Sequence, residues 1–162
     1  EVTFDDSKKK DEKYYINTDQ TYTYDADAGT VTATYGNATA KAHADTLFTA
    51  QDETDGLGTE GEVKVEGLKT KLIRIVKAQA AGILQDTDWY ILRKADADTD
   101  VPSAITTFRA AVRTKAAAME TLITNASNTA AIETLYTYVN TADEGDPVVM
   151  ERPLGEFPEL GS

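Results

Sequence analysis

Apolar and polar positions follow two different periods along this chain. In Lys13-Tyr14-Tyr15-Ile16-Asn17, Thr21-Tyr22-Thr23-Tyr24 and Thr30-Val31-Thr32-Ala33-Thr34-Tyr35 the residues are Thr- and Tyr-rich, and the last two runs alternate in steps of two. Alternation of that kind belongs to β-strands, whose successive side chains leave opposite faces. Asp25-Ala26-Asp27-Ala28-Gly29 lies between those two runs, with Gly available for a positive φ, so the spacing predicts a β-hairpin. Tyr22 and Tyr24 then share one face, as do Val31, Ala33 and Tyr35 on the partner strand. A hairpin alone is marginal in water and must pack on something. Residues 38–50 fit a strand or a short helix equally, and residues 51–62 read as an acidic, Gly-rich loop.

Helical spacing takes over from Leu68. Leu68, Leu72, Ile75, Val76, Ala80, Ile83 and Leu84 recur at three- and four-residue steps and predict a helix ending near Gln85. Asp86-Thr87-Asp88 offers side-chain oxygens to cap a short helix opening at Trp89. After the polar break Asp96–Asp100, Pro102 suits the first turn of a further helix, with Ile105, Phe108, Val112, Ala116, Met119, Leu122 and Ile123 as its buried stripe. A last helix is expected from about Thr129 to Val139, on Ile132, Leu135, Tyr136 and Val139. The expected fold is α+β: a β-rich region at 1–50 built on a hairpin or small antiparallel sheet, a linker at 51–66, a three-helix module at 67–140, and an extended tail at 141–162. The tail carries Pro147, Pro153 and Pro158 with Gly145, Gly155 and Gly161. Free in solution it should be disordered, so order there would call for a holder, and a neighbouring chain is the expected one. Val148, Met150, Leu154, Phe157 and Leu160 are its candidate docking residues.

Composition narrows the function. The 162-residue chain has a net charge of -12, which disfavours free nucleic acid as a partner. Lys8-Lys9-Lys10 is flanked by Asp5, Asp6, Asp11 and Glu12 and reads as a solvated charge run. The absence of cysteine excludes disulfides and thiolate chemistry. No apolar run approaches the roughly 20 residues that span a bilayer, so no membrane association is expected. The first residue is Glu1 rather than Met, which suggests that an initiator or longer leader is missing.

Candidate chemistry is sparse. His43 is the single histidine and sits in an Ala-rich stretch, with no Gly-x-Ser-x-Gly elbow anywhere. Asp96-Ala97-Asp98-Thr99-Asp100 copies the start of a calcium loop, but Val101 and Thr107 stand where such loops need Gly and Glu. No catalytic residue, metal or cofactor is therefore expected. Asp88 and Trp89, with Phe108, Arg109 and Arg113, make up a candidate structural anchor: Trp89 as the centre of the helical core, and Arg109 or Arg113 meeting Asp86 or Asp88.

Ile83-Leu84-Gln85-Asp86-Thr87-Asp88-Trp89, then Val101-Pro102, then Phe108-Arg109-Ala110-Ala111-Val112-Arg113, resembles the tail assembly chaperone-like module of bacteriophage tail-fibre assembly and virion proteins. The match covers about residues 68–125, and Phe108 stands where the pattern more often has Tyr. The resemblance implies a non-enzymatic virion structural protein of the tail, neck, fibre or capsid surface. Its partners would be other phage structural proteins, in multiple symmetric copies. The alternatives are a tail or tail-fibre assembly chaperone absent from the finished particle, and a host-surface tip that stacks sugars on Tyr14, Tyr15, Tyr22, Tyr24 and Tyr35.

Overall fold

Local turn chemistry sets the N-terminal topology. Strands β1 (Val2–Asp5), β2 (Tyr15–Ile16), β3 (Gln20–Asp25), β4 (Thr30–Tyr35) and β5 (Thr39–Ala40) come first in the computed structural model, which describes residues 1–161 and is α+β. Asp25 Oδ1 accepts from the backbone N–H groups of Asp27 and Ala28, both at 3.0 Å, and Gly29 takes φ +65° to close the β3–β4 turn. Tyr22 pairs with Ala33 and Tyr24 with Val31. The support for this hairpin is a third strand: β1 lies parallel to β4 on its other side, giving the order β1-β4-β3. The parallel ladder departs from the antiparallel expectation. Of the Lys13–Asn17 run only β2 forms a ladder, with β5, while Tyr14 and Tyr15 turn into the core.

The segment expected to be a loop has structure of its own. Strands β6 (Thr46–Leu47) and β7 (Val63–Val65) pair antiparallel around a short helix α1 (Ala50–Thr54). Thr49 and Asp52 form a reciprocal capping box, and Lys64 reaches the Asp52 carboxylate at 2.6 Å. That ammonium, with the Thr49 hydrogen bonds, holds the Asp52 carboxyl down at about 2. Gly67 follows, because a Cβ there would lie 2.4 Å from the Ala44 carbonyl. Having no side chain to cap the next helix, Gly67 leaves that helix's first amides to backbone carbonyls: Leu68 N–H donates to Ala42 and Lys69 N–H to His43, both at 3.0 Å, while the Asp45 carboxylate accepts from Gly67 N–H at 2.6 Å and Thr70 Oγ1 at 2.7 Å.

Helices α2 (Leu68–Gln85), α3 (Asp88–Ala97), α4 (Ser103–Asn125) and α5 (Thr129–Tyr136) make the body. Leu68, Leu72, Val76 and Ala80 of α2 meet Val112, Ala116, Met119 and Ile123 of α4, with Ile132 of α5 below them. Two residues of the expected stripes, Ile75 and Leu122, face solvent instead. A stripe read at three- and four-residue steps is wider than the contact α2 and α4 make, so its margins stay wet. The short helix expected at Trp89 runs for ten residues and makes a fourth helix in a module expected to have three, and α5 stops at Tyr136. Val139 belongs instead to β8 (Val139–Asn140), which pairs with β9 (Met150–Glu151).

Part of the tail is held by the chain's own body. Leu154 is 2% exposed in the chain's own core, and its N–H donates to the Leu135 carbonyl at 3.0 Å. Arg152 lies over the Tyr136 ring at 5.6 Å and pairs with Glu156 at 2.7 Å. Lys13 comes from the other end of the chain to lie over the same Tyr136 ring at 4.0 Å. Tyr15 donates to Glu133 Oε2 at 2.9 Å, so residues from both termini are fastened to α5.

Candidate protein-docking surfaces

The two halves of the phage-like pattern meet at one buried cation. Arg109 is 7% exposed on α4. Its Nη1 donates to the Leu84 carbonyl at 2.8 Å and to Thr87 Oγ1 at 2.7 Å, and its Nη2 meets Asp88 Oδ1 at 2.8 Å. Thr87, also buried, donates its own hydroxyl to Leu84 O at 2.9 Å. One guanidinium thus joins the last turn of α2, the first turn of α3 and the middle of α4. A cation at carbonyls that end a helix and a carboxylate at the start of the next both agree with the helix dipoles. Phe108 packs at the margin of the core beside it.

Trp89 and Arg113 do not join this node. Trp89 is 49% exposed, so it does not centre the helical core. Asp88 and Trp89 are consecutive on α3 and so about 100° apart around its axis; turning Asp88 toward α4 turns the indole away. Its ring stacks locally on Tyr90, with centroids 4.1 Å apart, and Arg93 lies 5.3 Å from its centroid. Arg113, one turn beyond Arg109, is exposed. Thr87 was legible only as a cap; it occupies the N-cap position, but its hydroxyl serves Arg109 and Leu84 instead of an α3 N–H.

The tail residues divide. Val148, Met150 and Leu160 face solvent, Phe157 is half-buried against the core, and Leu154 is inside it and closed to any partner. Among the carboxylates, Asp98 and Asp100 each lie 2.8 Å from Lys94 Nζ, so an ammonium already sits where the Asp-x-Asp-x-Asp run converges. Half-buried His43 gives its backbone carbonyl to the Lys69 N–H at 3.0 Å.

The β1-β4-β3 sheet carries a surface of which the sequence reading found the tyrosines but not the contribution of β1. Residues opposite one another in a ladder share a face. Val2, Val31 and Tyr24 form one such row, and Phe4, Ala33 and Tyr22 the next. Phe4, Tyr22 and Tyr24 are each 67% exposed, and Val2 is exposed as well. The opposite face carries Thr3, Thr32 and Thr23, then Asp5, Thr34 and Thr21, with Thr3 and Thr32 hydroxyls 3.1 Å apart. No residue of these strands belongs to the main core cluster. The signal was the alternation in Val2-Thr3-Phe4-Asp5, four residues too few to read as a strand without the neighbour they pair with. Tyr14 and Tyr15, proposed as part of a sugar-stacking face with these tyrosines, are buried; burial pushes the Tyr14 hydroxyl up to about 12, and the bond to Glu133 raises Tyr15.

No helix among the described residues is long and apolar enough to cross a membrane. No protein-family model matches the chain, and neither a curated protein nor a solved structure does so.

Proposed function

We propose that this chain is a non-enzymatic structural protein of a bacteriophage virion, in the tail, neck, fibre or capsid surface, that works by docking on other phage structural proteins. The observation that carries docking is the exposed aromatic face of the β1-β4-β3 sheet. The largest apolar patch on a protein of this size is often its functional surface. The exposed apolar residues of α3 and of the β8–β9 hairpin offer further contact area: Trp89, Ile91 and Leu92 on the first, Val148 and Met150 on the second. The phage assignment draws on the resemblance carried by Thr87-Asp88-Trp89 and Phe108-Arg109-x-x-Val112-Arg113. The Asp88–Arg109 ion pair gives that spacing a structural purpose, since it locks α3 to α4. The role calls for no cofactor, and the net charge of -12 speaks against a nucleic-acid partner.

Quantitative mass spectrometry of purified particles tests the proposal. Recovery in fixed stoichiometry with known structural proteins is the expected result. Presence in the infected lysate with absence from particles would favour the assembly chaperone instead. The sugar-binding reading now rests on Tyr22 and Tyr24; a Tyr22→Ala, Tyr24→Ala particle that assembles but no longer adsorbs to its host would promote it.

A further inference from the structure

The aromatic sheet face is uncharged in a strongly acidic chain. Val2, Phe4, Tyr22, Tyr24, Val31 and Tyr35 line it around a fully buried Ala33. The same alternation that places them there sends Asp5 and Asp25 to the threonine face. At its margin the Lys9 ammonium lies 5.5 Å from the Tyr35 ring centroid. From the side-chain areas of its exposed aromatics, the face presents on the order of 500 Å² of apolar surface.

We infer that this face packs against the same face of a second copy of the chain, closing two three-stranded sheets into a sandwich about a two-fold axis. Area and chemistry both select that occupant. Two such faces together remove about 1,000 Å² from water, the lower bound for a specific protein interface. A sugar stacked on one or two tyrosines would leave Phe4 and Val2 wet. A partner recruited by charge would find no carboxylate on the face. A second copy supplies the matching uncharged aromatic surface by identity, and face-to-face stacking is an ordinary way for sheets to pack. Pairing through the free edges of β1 or β3 would leave both aromatic faces in solvent. The inference gives this face to a second copy and leaves the exposed residues of α3 and the β8–β9 hairpin for other phage proteins; it rests on the reading above for the role of the paired copies in a particle.

Sedimentation equilibrium of the purified chain up to roughly 300 μM provides the test, since interfaces of this size bind in the micromolar range when few contacts dominate. The expected species has twice the 17.6 kDa chain mass. Replacing Tyr22→Thr and Tyr24→Thr keeps strand-favouring residues while removing both rings, and should weaken association at least about tenfold. Thr23→Glu, on the opposite face of the same strand, should leave association unchanged. Circular dichroism verifies that each variant folds. A wild-type monomer at every concentration overturns the inference, as does a dimer indifferent to the double substitution. Equal loss with Thr23→Glu overturns it too, in favour of edge pairing. A monomer that is nevertheless recovered in particles defeats self-pairing while leaving the virion reading intact; a dimer absent from particles does the reverse.

Discussion

On α4, Val112 and Ile123 have no surface in water; on the sheet, Phe4 and Tyr22 keep two-thirds of theirs. Both sets of residues were placed by regular spacing, yet they hold the molecule together in different ways. The body is stabilised by side-chain burial between α2, α4 and α5, with Tyr14, Tyr15 and Leu154 completing it. The sheet is held by its backbone ladders and by the Asp25 turn, and leaves its apolar side chains unspent. Stability and contact-forming surface are therefore separable here: a residue can be lost from one region without weakening the other.

Paired substitutions probe that separation most directly. Ile123→Ala, at a fully buried site, should cost about 2–5 kcal/mol in urea-induced unfolding, whereas Phe4→Thr should stay within about 0.5 kcal/mol. A large cost at Phe4 would mean that the sheet and body melt as one packed unit. Arg109→Ala comes next, at about 2–3 kcal/mol, because it strips charge-assisted hydrogen bonds from Leu84 and Thr87 and leaves them in a buried setting. Arg109→Lys should recover only part of this, since one ammonium cannot reproduce the fork.

Alkaline titration addresses the seam between the regions. Burial raises the folded-state value for Tyr14 from 10.0 to about 12. A raised value means stability that is complete below pH 10 and lost as pH climbs through about 12, when the tyrosinate can form only by leaving the core. Tyrosinate absorbance should accordingly show a late fraction, from Tyr14, that coincides with loss of helical signal. Trp89→Ala should have a small effect, about 1 kcal/mol or less for a half-exposed indole, against the 3–5 kcal/mol a core anchor would show. A cost in the upper range would restore Trp89 to the core.

Legibility followed the range of the interactions involved. The β3–β4 hairpin and the start and end of α2 could be read from residues within a few positions of each other. The α1 capping box was equally local, at Thr49 and Asp52, but was masked by the Gly-rich composition around it. An acidic partner for an arginine near Trp89 was expected, and Asp88 meets Arg109; that the node also draws in Thr87 and the Leu84 carbonyl depends on how α2 ends, which spacing does not encode. Trp89 was misplaced because size alone suggested burial, whereas the helical angle between it and Asp88 decided the matter. Leu154 and the β1 strand depended on partners about 20 to 30 residues away, Leu135 and Val31, and neither could be assigned from local pattern.

The ring of Tyr136 carries one further consequence. Lys13 and Arg152, 139 positions apart in the sequence, both lie over it, and the segments that bring them are latched to Glu133 and Leu135 on the same helix. Both segments thus depend on one helix for their anchorage. Hydrogen exchange should find the Lys41 amide, bonded to Tyr14, and the Leu154 amide, bonded to Leu135, opening in step rather than independently. A short eight-residue helix would then govern whether residues 13–15 and 152–154 come free together.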